Sequence, residues 1–257
     1  MLALKLALVP FFLALLSLAA RRWGPGVAGW LAGLPLVTGP VLVFVALERG
    51  DAFAAGAARA SLAGVFAMVA FQLGFAWAAM RFGWPGALGC ALACWLAAAL
   101  GLGLLPDSTL LSLALALGAL VAAPALFPPA QGDLMPRSLP RHELALRMAA
   151  GALFVVAVTA SAPALGPAWT GRVSTLPILG LVLAVFSHRA SGSAFVVALL
   201  RAMASGLYSY VAFCVALALL LARQPLAMAF LVAILAGLAA QAATRLRARQ
   251  GSSAARR

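Results

Sequence analysis

Residues 193–222 read SAFVVALLRAMASGLYSYVAFCVALALLLA, an apolar stretch that contains a single charged residue, Arg201. About 20 apolar residues in a helix span a bilayer core, so this stretch predicts a transmembrane helix. The rest of the chain has a similar composition: 65% of residues are hydrophobic, 9% are charged and the mean hydropathy is +1.09. A soluble domain is usually about 45–50% apolar and 25% charged. The sequence therefore predicts an all-α integral membrane protein of the bacterial inner-membrane type.

Apolar runs on either side of this stretch predict about nine transmembrane helices in total. The breaks between them contain Pro, Gly or charged residues, which are typical of helix ends. The first run could also be a signal peptide, but we favour a retained helix because it has a counterpart in the second half of the chain. The predicted spans are 2–20, 26–47, 52–80, 85–104, 108–127, 145–164, 173–187, 193–222 and 226–243.

The net charge of +13 comes from basic residues at the ends of the predicted spans. With the N-terminus outside and the C-terminus cytoplasmic, 13 of the 18 basic residues face the cytoplasm, as the positive-inside rule requires. The basic residues form no patch interleaved with aromatic side chains, which argues against nucleic acid as a partner. The expected partners are the lipid bilayer and a small solute, and homo-oligomerisation is left open.

The three cysteines, Cys90, Cys94 and Cys214, lie inside apolar runs, so we expect them to pack against neighbouring helices. Their number does not suggest a disulfide framework, and too few further ligands are near for a metal site. Hydrolase, metalloprotease and nucleotide-binding motifs are missing, and only five acidic residues are present. We therefore predict no enzyme activity and no cofactor.

An internal repeat organises the chain. Residues 1–71 align without a gap to residues 143–213 at an offset of 142, with 22 identities in 71 positions, 13 of which are neither Ala nor Leu. Among the matches are Gly24-Pro25 with Gly166-Pro167, Gly50 with Gly192, and Arg59 with Arg201.

This repeat divides the chain into a first four-helix membrane unit (1–106), a linker helix with a cytoplasmic loop (107–142), a second four-helix unit (143–244) and a basic cytoplasmic tail (245–257). Four helices plus one linker make the offset odd, so equivalent helices cross in opposite directions. Inverted repeats of this kind occur in many secondary transporters. A span count wrong by one would instead make the repeats parallel, and a duplication could also be only a record of how the protein arose.

The first 104 residues resemble the GlpM-type family of small four-helix bacterial inner-membrane proteins, and six short segments carry the likeness. These segments are Lys5, Ala28-Gly29, Leu34-Pro35, Glu48-Arg49-Gly50, Arg59-Ala60 and Ala93-Cys94-Trp95. The second half keeps Arg147, Leu176-Pro177 and Arg201-Ala202, but it has Ala190-Ser191-Gly192 in place of the Glu-Arg-Gly element and lacks the Cys-Trp pair. The resemblance implies a fused pair of four-helix units. Some family members are associated with exopolysaccharide production, and the family supplies no substrate.

Two arginines are the strongest candidates for substrate binding because a charge inside a span is costly. Arg59 and Arg201 each follow a predicted span start by about 12–14 Å of helix. If both face a central cavity, they would bind an anion from opposite sides of the midplane, since Arg suits carboxylate and phosphate. The alternative is that each side chain snorkels back to the headgroups.

Two prolines, Pro35 and Pro177, interrupt the matching second and seventh spans, and Thr38 and Thr175 supply hydroxyls beside them. Interrupted helices at corresponding repeat positions are a pointer to a transporter binding site. An ordinary kink satisfied by neighbouring helices is the competing interpretation.

Four further polar residues lie in the third and eighth spans, where they could line a polar path or bond between helices. They are Gln72, Tyr208, Ser209 and Tyr210. Glu48 and His188, at span ends, are candidates for proton coupling, although both could be ordinary solvated residues.

The sequence thus favours a small secondary transporter or flippase for an anionic or lipid-linked solute, working by alternating access. One alternative is a non-transporting assembly subunit for envelope polysaccharide production. Another is an intramembrane enzyme that modifies lipids.

Overall fold

The computed structural model describes residues 2–106, 108–130, 132, 134–135, 141–173 and 176–254. Within these ranges the secondary structure consists of eight helices and no strand. The helices are α1 (Leu2–Ala32), α2 (Thr38–Arg49), α3 (Asp51–Ala79), α4 (Trp84–Leu102), α5 (Thr109–Leu126), α6 (Arg141–Val173), α7 (Ile178–Leu220) and α8 (Leu226–Ala254).

Six helices in the described part of the chain are long and apolar enough to cross a membrane. They are α3, α4, α5 and α7, together with Leu6–Ala32 of α1 and Leu226–Leu246 of α8. The protein is therefore an all-α, multi-pass membrane protein, and this part of the sequence prediction is confirmed.

Helix α7 is a hairpin. It has 43 residues, about twice what one crossing needs, and Gly192 inside it has φ +84° and ψ −176°, outside the helical region. A straight helix would separate Gly180 from Met203 by about 35 Å at 1.5 Å per residue. Instead, Met203 Sδ lies 3.3 Å from the position that a Cβ would occupy on Gly180. The chain therefore reverses at Gly192, and α7 has two arms, 178–191 and 193–220.

A second hairpin joins α2 to α3 at Gly50, which has φ +84° and ψ 164°. The Tyr210 hydroxyl donates a hydrogen bond to Thr38 Oγ1 at 3.1 Å and also interacts with the Ser61 side chain. Thr38 and Ser61 lie at similar distances along the chain before and after Gly50. Because one side chain contacts both, α2 and α3 must fold back against each other at this glycine.

The two hairpins point in opposite directions. Gly33 packs directly on the backbone of Gly206, and further along both chains Thr38 bonds Tyr210. The segment from the end of α1 into α2 thus runs parallel to the second arm of α7. Since Gly50 ends that segment and Gly192 begins the arm, the two turns lie at opposite ends of the helix bundle.

Helices α3 and α7 form the centre of the bundle. In each, 61% of the most apolar window is buried, compared with 22–33% in the other four candidate spans. Glycine allows close contact at this centre: a Cβ on Gly206 would collide with the Trp30 carbonyl oxygen, and one on Gly29 with the Leu199 carbonyl oxygen. The outer helices leave large apolar side chains exposed, as a lipid-facing surface requires, among them Leu100, Leu110, Val121 and Leu235.

One of the predicted spans differs from the structure in its helix bounds. The predicted span 26–47 is not one helix, because α1 continues to Ala32 and a break over 33–37 separates it from α2. Pro35 explains the break, since proline lacks an amide donor and restricts the residue before it. The predicted linker helix at 108–127 is present as α5.

The cysteine prediction was right for Cys214, which is buried, and incomplete for the other two. Cys90 and Cys94 are exposed on α4, although Cys94 Sγ lies 2.8 Å from the Cβ position of Gly74 on α3. An apolar run in a membrane helix does not tell which of its faces is covered by protein.

Candidate functional site

The break before α2 places a helix start inside the bundle. Pro35 lies in the break, and α2 begins at Thr38 with Val37 as N-cap and no side-chain cap. The 12 residues of α2 extend about 18 Å to the Gly50 turn. Relative to a hydrocarbon core about 30 Å thick, Thr38 is therefore near the middle of the bundle.

A similar break precedes α7. Leu176 and Pro177 are both buried and non-helical, and α7 begins at Ile178 with Pro177 as N-cap and no side-chain cap. The Ile178 amide donates to the Leu176 carbonyl at 2.9 Å, which closes a tight turn before the helix. Thr175, predicted as a hydroxyl beside this break, lies outside the described residues.

The first break is lined by a cluster of hydroxyl groups. Tyr210, buried on the second arm of α7, donates to Thr38 and interacts with Ser61 of α3 and with Cys214 one turn further on. The structure thus brings together two predicted binding residues, Thr38 and Tyr210, across three helical segments. Tyr208, two residues earlier, is half-buried and also has a partner.

Two fully buried polar side chains near the centre have no hydrogen-bond partner among the described residues. Both amide atoms of Gln72 on α3 and the Ser209 hydroxyl on α7 are unsatisfied, and both residues are 0% exposed. An unsatisfied polar group in apolar surroundings costs free energy unless water or a solute bonds to it. The central helices therefore offer free donors and acceptors where the sequence predicted a polar path.

Arg201 contacts the C-terminal end of α5. Its Nη2 donates to the carbonyl oxygens of Phe127 and Pro128, both at 3.0 Å, and its guanidinium lies 5.9 Å from the Phe127 ring centroid. These carbonyls end α5, where a cation is favoured by the helix dipole. The buried Nε of Arg201 has no hydrogen-bond partner among the described residues. Its observed contacts are those of an anchor for α5.

Arg59 is half-buried on α3, and its Nη2 lies 3.8 Å from the Cβ position of Gly56. It follows the Gly50 turn by the same number of residues as Arg201 follows the Gly192 turn. Because the turns lie at opposite ends of the bundle, the two arginines lie toward opposite ends and do not form one clamp. Pro35 and Pro177 likewise belong to two separate breaks.

The most buried charge among the residues whose side chains the structure describes was not among the predicted site residues. Arg147 on α6 is 2% exposed, with Nη2 2.8 Å from Glu143 Oε1 and Nη1 3.2 Å from Ser17 Oγ. Its guanidinium also lies 5.6 Å from the Phe186 ring centroid. The sequence contained a signal for this ion pair, because Glu143 and Arg147 are four residues apart and residues at that spacing are neighbours on a helix. The pair fastens α6 to α1 and to the first arm of α7.

The two predicted proton-coupling residues are far from each other in the fold. Glu48 is exposed near the end of α2. His188 is half-buried near the Gly192 turn, where its ring meets Phe75 edge-on at 5.9 Å and its Nδ1 has no partner among the described residues. Each therefore lies close to one of the two turns.

Within the described ranges, no group of three or more His, Cys, Asp or Glu residues could hold a metal ion. The chain matches no protein-family model, no curated protein and no solved structure.

Proposed function

We propose that the protein is a small secondary transporter or flippase for an anionic or lipid-linked solute, and that it works by alternating access between two inverted halves. The observation that most supports this proposal is the pair of interrupted helices. Helix α2 begins at Thr38 and α7 at Ile178, each directly after a proline-containing break inside the bundle. Discontinuous helices at corresponding positions of two halves are the usual site of substrate binding in such transporters.

The helix bounds support the underlying duplication. The sequence offset of 142 relates the start of α3 at Asp51 to Ser193, the first residue after the α7 turn. The aligned glycines Gly50 and Gly192 both have φ +84°. Equal backbone conformation at aligned positions is what a common ancestral unit would produce.

The opposite orientation of the hairpins supports inversion. In this proposal the chain crosses the membrane nine times. Helix α1 contributes one crossing before Gly24 and shares the next with α2, and α6 contributes one crossing and shares the next with the first arm of α7. The other five crossings are α3, α4, α5, the second arm of α7 and α8. Gly24 has φ +81° and ψ 176°, close to the values at the other two turns. The N-terminus is then outside, and the C-terminus is in the cytoplasm.

The polar groups at the two helix breaks favour the binding of an anion. A helix N-terminus carries unsatisfied amide donors and about half a positive charge. The starts of α2 and α7 have no side-chain cap to neutralise these groups, and Thr38, Tyr210 and Ser61 add hydroxyls at the first of them. An anionic group bound there would lie between the halves, with Arg59 and Arg201 each near one entrance. His188 and Glu48, one near each turn, are the proposed proton-coupling residues.

Reconstitution tests the proposal. Purified protein in liposomes is assayed for uptake of labelled phosphate, sulfate and small carboxylates, and for transbilayer movement of a fluorescent anionic phospholipid. One of these activities should exceed that of empty liposomes, and replacing Tyr210 by Phe together with Thr38 by Val should reduce it at least tenfold. The matched control is Ser205→Ala on the same arm of α7, which removes an exposed hydroxyl that bonds to the Ala202 carbonyl of its own helix and should retain most of the activity.

Absence of any flux from a folded protein that co-purifies with envelope polysaccharide enzymes would contradict transport. It would support an assembly subunit, in keeping with the proposed likeness to GlpM-type proteins. Release of a modified lipid without net movement would instead indicate an enzyme.

A further inference from the structure

A surface cavity between α1 and α8 is separate from the two breaks. It has a volume of about 490 Å³ and opens outward at the C-terminal end of the apolar part of α8. That volume is within the range of small-ligand sites. No acidic residue lines it; its walls are formed by Trp30, Leu238, Gln241, Ala242, Arg245 and Leu246.

Hydrogen bonds fix the walls of this cavity. Gln241 Nε2 donates to the Trp30 carbonyl oxygen at 2.8 Å, and the Trp30 indole donates to Thr244 Oγ1 at 3.0 Å. The Arg245 guanidinium lies 5.0 Å from the Trp30 ring centroid, in a cation–π contact. The polar groups are therefore held in place before any ligand arrives.

Two groups in the cavity remain available to a ligand. Arg245 is exposed and lines the cavity. Gln241 is 3% exposed, and its Oε1 has no partner among the described residues although its Nε2 is bonded. A buried acceptor next to an open cationic side chain calls for a ligand that carries both a negative charge and a hydrogen-bond donor.

An apolar stripe continues from the cavity along α8. Leu231, Leu235 and Leu238 are each about half exposed, and with Ala242 and Arg245 they recur at helical spacing on one face. This stripe would accommodate acyl chains. Trp30 at the cavity is the residue type found where a membrane meets water.

We propose that this cavity binds the headgroup of an anionic phospholipid. The phosphate pairs with Arg245, a headgroup hydroxyl donates to Gln241 Oε1, and the acyl chains lie along the stripe formed by Leu231, Leu235 and Leu238. Phosphatidylglycerol has this combination of groups. The inference does not depend on transport, because it concerns a different surface of the protein.

Native mass spectrometry of the full-length protein in detergent, titrated with phosphatidylglycerol, tests the site. Arg245→Ala should weaken binding of the first lipid by about tenfold, corresponding to about 1.4 kcal/mol. Ala242→Glu, which places a negative charge in the cavity, should weaken it at least as much. The matched control is Arg22→Ala, because Arg22 is also exposed and stacked on a tryptophan, Trp23 at 5.8 Å, away from the cavity. Unchanged affinity in both cavity variants, or an equal loss in Arg22→Ala, would overturn the proposal.

Ligand variation tests the chemistry without altering the protein. Phosphatidylmethanol, which keeps the phosphate diester but has no headgroup hydroxyl, should bind several-fold more weakly than phosphatidylglycerol. Phosphatidylcholine and free glycerol phosphate should bind more weakly still, since the first lacks net charge and the second lacks acyl chains. If free glycerol phosphate competes fully with the lipid, the cavity is a site for a soluble anion and the lipid proposal is wrong.

Discussion

The two hairpins of this protein have the same backbone conformation at the turn, but the residues that flank the turn differ. Glu48-Arg49 and Asp51 flank the Gly50 turn, whereas Ala190-Ser191 and Ser193 flank Gly192. Both glycines nevertheless have φ +84°, with ψ within about 20° of extended. In this conformation other residues are essentially not found, so glycine determines the turn and the flanking charges do not. Backbone geometry is therefore common to both turns, while the flanking charge differs between them.

The close contact between the end of α1 and the second arm of α7 should be the most sensitive to substitution. Gly206→Ala should destabilise the protein by about 3 kcal/mol, because a Cβ there would overlap the Trp30 carbonyl oxygen and force the helices apart. Unfolding by SDS titration in detergent measures the change. Gly118→Ala on α5, where a Cβ meets nothing within 4 Å, should be neutral or stabilising by up to about 1 kcal/mol. Similar losses in both variants would show that close helix packing is not the cause.

The two turns should respond equally when their glycines are replaced. Gly50→Ala and Gly192→Ala should each cost about 2 kcal/mol, entirely through backbone strain, because nothing lies within 4 Å of either Cβ position. The same SDS titration applies, with Gly89→Ala, also in open space, as control. A cost at only one of the two turns would mean that the matching φ values do not reflect a shared structural role.

Arg59 and Arg201, which occupy aligned positions after the two turns, should differ in their effect on the end of α5. Arg201→Met should loosen the end of α5 and cost about 1 kcal/mol, since the Phe127 and Pro128 carbonyls lose a charged donor. Hydrogen exchange should increase in residues 120–128. Arg59→Met should leave that segment unchanged. Equal exchange in the wild type and in Arg201→Met would contradict an anchoring role for Arg201.

Removing a charge that flanks the Gly50 turn should have the smallest effect on stability. Asp51→Ser makes the first turn resemble the second, and it removes an acidic residue from the first turn of α3. The expected loss is about 0.5 kcal/mol, from the helix dipole at an exposed position. Thermal denaturation at low and high salt measures it, and the difference should shrink as salt is added. A loss above about 2 kcal/mol would assign the charge a structural role in the turn.

Much of this organisation follows from sequence patterns that have a direct physical basis. The length of the apolar runs predicted a membrane protein, and Pro35 and Pro177 predicted the positions of the two helix breaks. Alignment of the chain with itself picked out Gly50 and Gly192, although not their conformation.

Pairwise side-chain contacts were beyond the sequence because helical periodicity carries no information on which faces meet. The sequence predicted Arg201 as a candidate ligand for an anion. In the fold, its Nη2 instead donates to the Phe127 and Pro128 carbonyls at the end of α5. Arg147 was not among the predicted site residues, yet it is the most buried charge among the described residues. The cavity beside Trp30 joins the first helix to the last, a contact that no local pattern predicts.

The central claim is that the two turns lie on opposite faces of the membrane, and cysteine accessibility tests it most directly. Asp51→Cys and Ser193→Cys are introduced singly into a variant without its three native cysteines and exposed in intact spheroplasts to a membrane-impermeant maleimide. The cysteine at position 51 should react with the maleimide from outside, whereas the cysteine at position 193 should react only after the membrane is opened. Labelling of both from the same side would contradict the inverted arrangement and remove the main support for alternating access.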